Sequence, residues 1–187
     1  VGLLNTGTLP EIQRALGDAA LDGWLLFDFR GLNPVTLQMV GIDVLLTRRI
    51  FVWIPRQGVP VAITHNIEQT VWRDWPEAWR RERYSAWTTL EGLLQALVSG
   101  KRIAMEYSAG NAVPYLDRVP AGMLEMIRRF GATVVSSADL VSQFNATWTP
   151  DELAKHRRAA EHVASIAQDA LSYAVTAVRQ REAVHEH

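Results

Sequence analysis

The chain has 187 residues, is 48% hydrophobic and carries a net charge of −1. That is enough apolar material for one globular core plus an appendage, with no overall field that would draw it to nucleic acid or to an anionic membrane. It has no cysteine, which excludes disulfides, Cys-ligated zinc and thiol catalysis and fits a reducing, cytoplasmic setting. No apolar run approaches the roughly 20 residues of a membrane span and the first residues lack the basic-then-apolar order of a signal peptide, so a soluble protein is expected.

Helical and strand-like segments then alternate. Thr8-Leu9-Pro10-Glu11 reads as a capping box, after which Leu9, Ile12, Leu16 and Ala19 recur at helical spacing as far as Asp22-Gly23. Trp24-Leu25-Leu26-Phe27 reads as a buried strand, and after the loop 28–34 a short helix is expected to about Val40. Residues 50–54 and 59–64 read as strands joined through Pro55-Arg56-Gln57-Gly58, a hairpin. A tryptophan-rich stretch leads to a weak strand near 83–86, then a helix over 88–98, a strand over 102–106, a helix over 114–130 closed by Gly131, and a strand over 133–136. The order strand, hairpin, β-α-β-α-β implies an α/β fold with a mixed sheet covered by helices on both faces. The domain break is expected at 145–149.

Thr149-Pro150-Asp151-Glu152 opens the last helix with an N-cap threonine, proline at the first helical position and glutamate three residues on. Neither Gly nor Pro follows it, and at 1.5 Å per residue the roughly 33 residues from Thr149 to Arg181 make a rod of about 50 Å. Leu153, Ala160, Ala164, Ala167, Leu171, Ala174, Val175 and Val178 form one stripe, which Val163, Ile166, Ala170 and Ala177 widen to about half the circumference, against about 100° for an ordinary surface helix. Two packing partners are therefore expected, one of them in further sequence or in another chain, and the chain should self-associate through this helix. The other reading is a helix laid across its own domain with a frayed end.

Chemistry-bearing motifs are scarce. The sequence has no Gly-x-Gly-x-x-Gly, P-loop, Gly-x-Ser-x-Gly or His-Glu-x-x-His pattern. His156 and His162 fall on different faces of one helix, and His185-Glu186-His187 would ligate a metal only as an extended segment. His65, just past a strand, reads as a surface histidine. The stretch 72–83 interleaves Trp72, Trp75 and Trp79 with arginines, but Asp74, Glu77 and Glu82 cancel much of the field, which favours an amphipathic packed segment over stacking on single-stranded nucleic acid. The loop Asp28-Phe29-Arg30-Gly31-Leu32-Asn33-Pro34 emerges at the C-terminal end of a buried strand, where open α/β sheets place ligands. Arg30 offers a donor fork for a carboxylate, Asn33 suits a helix cap, and Asp28 is placed to orient Arg30. Two readings stand: a ligand-facing loop, or an Asp28–Arg30 pair and an Asn33 cap that only fix the loop.

The run from Asp22 to Pro34, Gly41 shortly after, and the hairpin from Phe51 to Val61 resemble the N-terminal domain of Xaa-Pro aminopeptidases, prolidases and creatinases. Ile103-Ala104-Met105-Glu106, the segment 131–136, Asp139-Leu140, Glu152-Leu153 and Arg157-Arg158-Ala159-Ala160 follow in the family's order, so the resemblance covers the whole chain. At Ala146 and Trp148 the chain lacks the basic residues many members carry. The resemblance implies a ribonuclease-H-like three-layer domain over 1–144, with 145–187 as linker and first helix of a pita-bread metallopeptidase domain whose remainder lies beyond His187. That domain would hold a divalent metal pair (Mn, Co or Zn) on two aspartates, a histidine and two glutamates, none of them in this chain, and would cleave proline-containing peptides after an N-terminal residue. The resemblance further implies a homodimer in which Arg30, with Asn33 and Asp28, faces the substrate of the other subunit. A non-catalytic protein-binding module of the pseudo-peptidase type and a creatinase-like amidinohydrolase are the alternatives on the same scaffold.

Overall fold

The computed structural model describes residues 2–180, which divide into two compact units, Val1–Ala146 and Thr147–His187. In the first unit, six strands lie in the order β4-β3-β2-β1-β5-β6: β1 (Gly23–Phe29), β2 (Arg49–Pro55), β3 (Val61–His65), β4 (Arg80–Tyr84), β5 (Arg102–Met105) and β6 (Thr133–Ser136). β1, β2 and β3 pair antiparallel, which bears out the hairpin, while β3–β4, β1–β5 and β5–β6 are parallel. The sheet is therefore mixed.

Residues of β1 alternate between two cores. Leu25 and Phe27 pack with Phe51, Trp53 and Ile63 beneath the helices α3 (Trp87–Val98) and α4 (Ala121–Arg129). On the other face Trp24 and Leu26 meet Ile12 and Leu16 of α1 (Leu9–Asp18), Met39 of α2 (Pro34–Val40) and Leu140 of α5 (Ala138–Phe144). This makes an α/β/α sandwich of three layers. Both faces of β1 are covered, which is why its sequence is a continuous apolar run rather than an alternating one. Each large side chain so buried contributes about 1.5–3 kcal/mol relative to exposure. At the head of β1 a Cβ on Gly23 would fall inside the indole of Trp53, so that close approach requires glycine.

Three local expectations are corrected. Thr8 sits in helical conformation with no side-chain cap; Asn5 Oδ1 instead accepts the N–H groups of Gly7 (2.9 Å) and Thr8 (3.1 Å), and the Thr8 hydroxyl donates to the carbonyl of Leu3. The helix expected over 114–130 is broken: Pro114–Leu116 forms one 3₁₀ turn and α4 starts at Ala121. Pro120 cannot continue a helix and biases its predecessor away from one, while the N–H groups of Arg118 and Val119 donate to the Glu106 carbonyl at 3.0 and 2.9 Å. The tryptophan stretch packs as an amphipathic segment, burying Trp72 and Trp79, but not as a helix. Beyond a 3₁₀ turn at Thr70–Trp72 it runs through turns around Pro76, and Trp72, Trp75 and Trp79 lock edge to face at 5.3 and 4.9 Å. The strand expected near 83–86 is β4, three residues earlier, an open edge whose Arg80, Arg81 and Arg83 are exposed and whose Arg80 pairs with Glu82 at 2.7 Å. Helix α5 was not marked by periodicity at all.

The second unit is α6 (Pro150–Arg179), 30 residues long. Its capping box forms as read: the Thr149 hydroxyl accepts the N–H of Glu152 (3.2 Å) and Glu152 Oε2 accepts the N–H of Thr149 (2.8 Å). The Thr149 N–H and the Thr149 hydroxyl, which also donates to Glu152 Oε2 (2.8 Å), hold the Glu152 carboxyl below its usual range. Val163, Ile166, Leu171 and Val178 of its apolar stripe are each about two-thirds exposed, at 66, 67, 69 and 67%. The expected end at Arg181 and the His185-Glu186-His187 motif lie outside the described residues. No helix among the described residues is long and apolar enough to cross a membrane.

Candidate functional site

The loop that leaves β1 is held by buried polar groups that lie far apart in sequence. Asp28 is fully buried, and its carboxylate accepts the N–H groups of Gly31 (2.8 Å) and Asn33 (2.7 Å). The chain reverses between them because Arg30 and Gly31 both adopt left-handed backbone, with φ of 62° and 73°. Asn33 caps α2 with Oδ1, which accepts from Val35 and Thr36 at 3.1 and 3.4 Å. Its amide group faces the carbonyl of Phe27 (2.8 Å), the Thr36 hydroxyl (2.9 Å) and Glu106 Oε2 (3.0 Å).

Glu106 closes the arrangement from the end of β5. Its carboxyl has no exposed surface and accepts from Trp24 Nε1, Asn33 Nδ2 and the Ser137 hydroxyl (3.2 Å). Burial pushes its pKa up to about 7, against the pull of those three donors. All three partners donate, so an acceptor-only carboxylate matches them and a protonated one meets them less well. Glu106 joins β1, the loop, β5 and the start of α5 at one point. Sequence reading did not select it; the available signal was a lone carboxylate ending a short apolar strand.

Of the three residues singled out in the loop, the structure brings Asp28 and Asn33 together and leaves Arg30 apart. No Asp28–Arg30 ion pair forms, because both Asp28 oxygens are engaged by backbone N–H groups. Arg30 is exposed, and among the described residues no carboxylate lies within ion-pair distance of it. Next to it, across the strand pair, Phe29 faces Arg49. The Arg49 guanidinium lies 5.0 Å from the ring centre of Phe29 and 5.1 Å from that of Trp87. The Tyr84 hydroxyl donates to the Arg49 carbonyl at 2.7 Å, and burial pushes the Tyr84 pKa up to about 12.

Among the described residues no three His, Cys, Asp or Glu side chains converge as a metal site. A cleft of about 440 Å³ opens along β6 between α1 and α5 and is lined by Asp18, Arg102 and Asp139 but by none of the loop residues.

No family model matches the sequence, and no curated protein sequence matches it. Solved structures do match. The creatinase/prolidase N-terminal domain of an X-Pro dipeptidase from Streptococcus pyogenes aligns with a TM-score of 0.57 at 10% identity, covering 74% of this chain and 99% of that one. A prolidase from Pyrococcus horikoshii OT3 aligns with a TM-score of 0.56 at 11% identity over 79% of this chain and 37% of its own. A prolidase from Thermococcus sibiricus gives a TM-score of 0.60 at 13% identity over 88% and 43% respectively. This chain thus spans less than half the length of those two prolidases. At such identities the likeness is one of fold. The sheet order and the three layers define a mixed α/β domain. More particularly, this chain has the fold of the creatinase/prolidase N-terminal domain, followed by a long helix.

Proposed function

We propose that this chain is the N-terminal, dimerising and substrate-access part of a metal-dependent Xaa-Pro peptidase, which hydrolyses the bond between an N-terminal residue and proline. Residues 1–144 are the access domain, and 145–187 begin the catalytic domain, whose divalent metal pair is held by residues outside this chain. The observation that carries the reading is the match, over nearly its whole length, of a solved creatinase/prolidase N-terminal domain, together with prolidases of more than twice this chain's span.

Within that reading Arg30 meets the peptide in the neighbouring subunit, while Asp28 and Asn33 hold the loop that presents it. Supporting this, Asp28 and Asn33 are spent on the loop's own backbone, whereas the Arg30 guanidinium is exposed and without an acid partner among the described residues. The first test is the coding sequence past His187, which should continue for a domain's length with two aspartates, a histidine and two glutamates; an immediate natural stop would sink the peptidase reading. In the longer enzyme Arg30→Ala should lower kcat/KM for longer Xaa-Pro peptides by about tenfold, equivalent to about 1.4 kcal/mol of transition-state binding. Unchanged efficiency and length preference would remove Arg30 from the site.

A further inference from the structure

We propose that the cleft along β6, between α1 and α5, is a binding site for a free basic amino acid of the lysine type, whose carboxylate meets Arg102 and whose two ammonium groups meet Asp18 and Asp139. Its volume of about 440 Å³ falls within the range of small-molecule pockets, about 300–1,000 Å³. None of the residues of the loop after β1 lines it, so binding here stands or falls independently of the peptidase reading.

Four elements assemble the cleft. Asp18 ends α1, Arg102 opens β5, Ser136 ends β6 and Asp139 stands in the first turn of α5. β5 and β6 run parallel, with Arg102 opposite Thr133 and Met105 opposite Ser136, which places Arg102 and Ser136 at opposite ends of the strand pair, about 10 Å apart along it. Just past α1, the Asp22 N–H donates to the Arg102 carbonyl (2.8 Å), which brings the end of that helix, and Asp18 with it, to the Arg102 side. Asp139, three residues after Ser136, stands at the other end. A cation and an anion at one end suit the head of an α-amino acid; a second anion at the far end suits an ammonium carried on its side chain.

These charges are unpaired. Among the described residues Asp18, Arg102 and Asp139 form no ion pair with each other or with any neighbour. Asp18 adds its charge at the negative end of the helix dipole, with no basic residue in that turn, an arrangement unfavourable to the helix by itself and favourable to an incoming ammonium. Two carboxylates against one guanidinium leave the lining with an excess of negative charge, and a lysine zwitterion carries the opposite excess. The planar fork of Arg102 can take a carboxylate through two N–H groups. The Ser136 hydroxyl donates to the Tyr107 carbonyl (2.8 Å), so its oxygen can still accept from the far ammonium. Between the polar ends, Leu21, Val135 and Leu140 supply apolar lining for the ligand's methylene groups.

The test uses this 187-residue chain with L-lysine, with L-norleucine, which lacks the terminal ammonium, and with L-lysinamide, which lacks the carboxylate. Calorimetry should give lysine a Kd of about 1 mM or below and each analogue at least about tenfold weaker binding. Amide NMR shifts on adding lysine should cluster at Asp18, Arg102, Ser136 and Asp139. Arg102→Gln should weaken lysine about tenfold without weakening lysinamide, and Asp139→Asn should weaken lysine about fivefold while leaving norleucine unchanged. Both side chains are exposed and outside any ion pair among the described residues, so both variants should keep the wild-type melting curve. No binding of lysine at about 10 mM, analogues that bind as well as lysine, shifts that cluster on another face, or wild-type affinity in both variants would each overturn the proposal.

Discussion

The sheet unit and α6 solve the problem of apolar surface in opposite ways. In the sheet unit Trp24, Leu25, Leu26, Ile50, Phe51 and Val52 are all sealed between helix layers. In α6 the stripe of Val163, Ile166, Leu171 and Val178 stays open, although the helix is well started by its capping box. The lesson is that local signals make the helix and only a second surface can bury it. A single helix has no inside.

The largest effect is expected where the sheet unit concentrates its buried polar groups. Glu106→Ala leaves the donors of Trp24, Asn33 and Ser137 unanswered in a dry site, and chemical denaturation should show a loss of about 3–5 kcal/mol. The corresponding change on α6, Ile166→Ser, should leave the unfolding midpoint of the sheet unit within about 0.5 kcal/mol while abolishing self-association seen by light scattering. If Ile166→Ser instead destabilised the sheet unit as much as Glu106→Ala, the contrast between the two regions would collapse.

Glu106 also makes the comparison depend on pH. Its pKa is raised from 4.5 to about 7 in the folded protein, so the native state holds a proton that the unfolded chain releases in this interval. Stability from this group is fully present below about pH 4.5 and is lost as pH rises through about 7, on the order of 3 kcal/mol in all. Melts of the wild type and of Glu106→Gln across pH 4.5–7.5 should diverge in slope, with the variant the flatter; parallel curves would show that Glu106 does not titrate there. The smallest effect belongs to the helix start. Thr149→Ala removes one half of the capping box and should cost about 1 kcal/mol, visible as faster amide exchange in the first turn of α6 and not in the sheet.

The same contrast explains what could be read from the sequence. The capping box of α6, the hairpin and the buried run of β1 are local patterns, and each formed as read. Features that depend on distant partners were misread or missed. Residues 114–130 carry apolar spacing, yet Pro120 and the backbone of Glu106 divide them. Trp72, Trp75 and Trp79 fall at helical spacing, but they meet each other around a turn instead of lining a helix. At the site, the sequence placed Asp28, Arg30 and Asn33 in one loop. It could not show that Asn33 bonds Glu106, 73 residues away, or that Trp24 does so across 82. The contacts of Arg49 were hidden for the same reason, since Phe29 reaches it from the end of β1 and Trp87 from the start of α3.

The arginines of β4 carry one more consequence. A sheet of this kind ends in a row of unsatisfied backbone groups, a template for growth by any strand that drifts alongside. Here the last strand reads Arg80-Arg81-Glu82-Arg83 and lies exposed, so an incoming copy would bring like charges into register with it. Growth of the sheet at the β4 edge is thereby disfavoured by the charges of that strand.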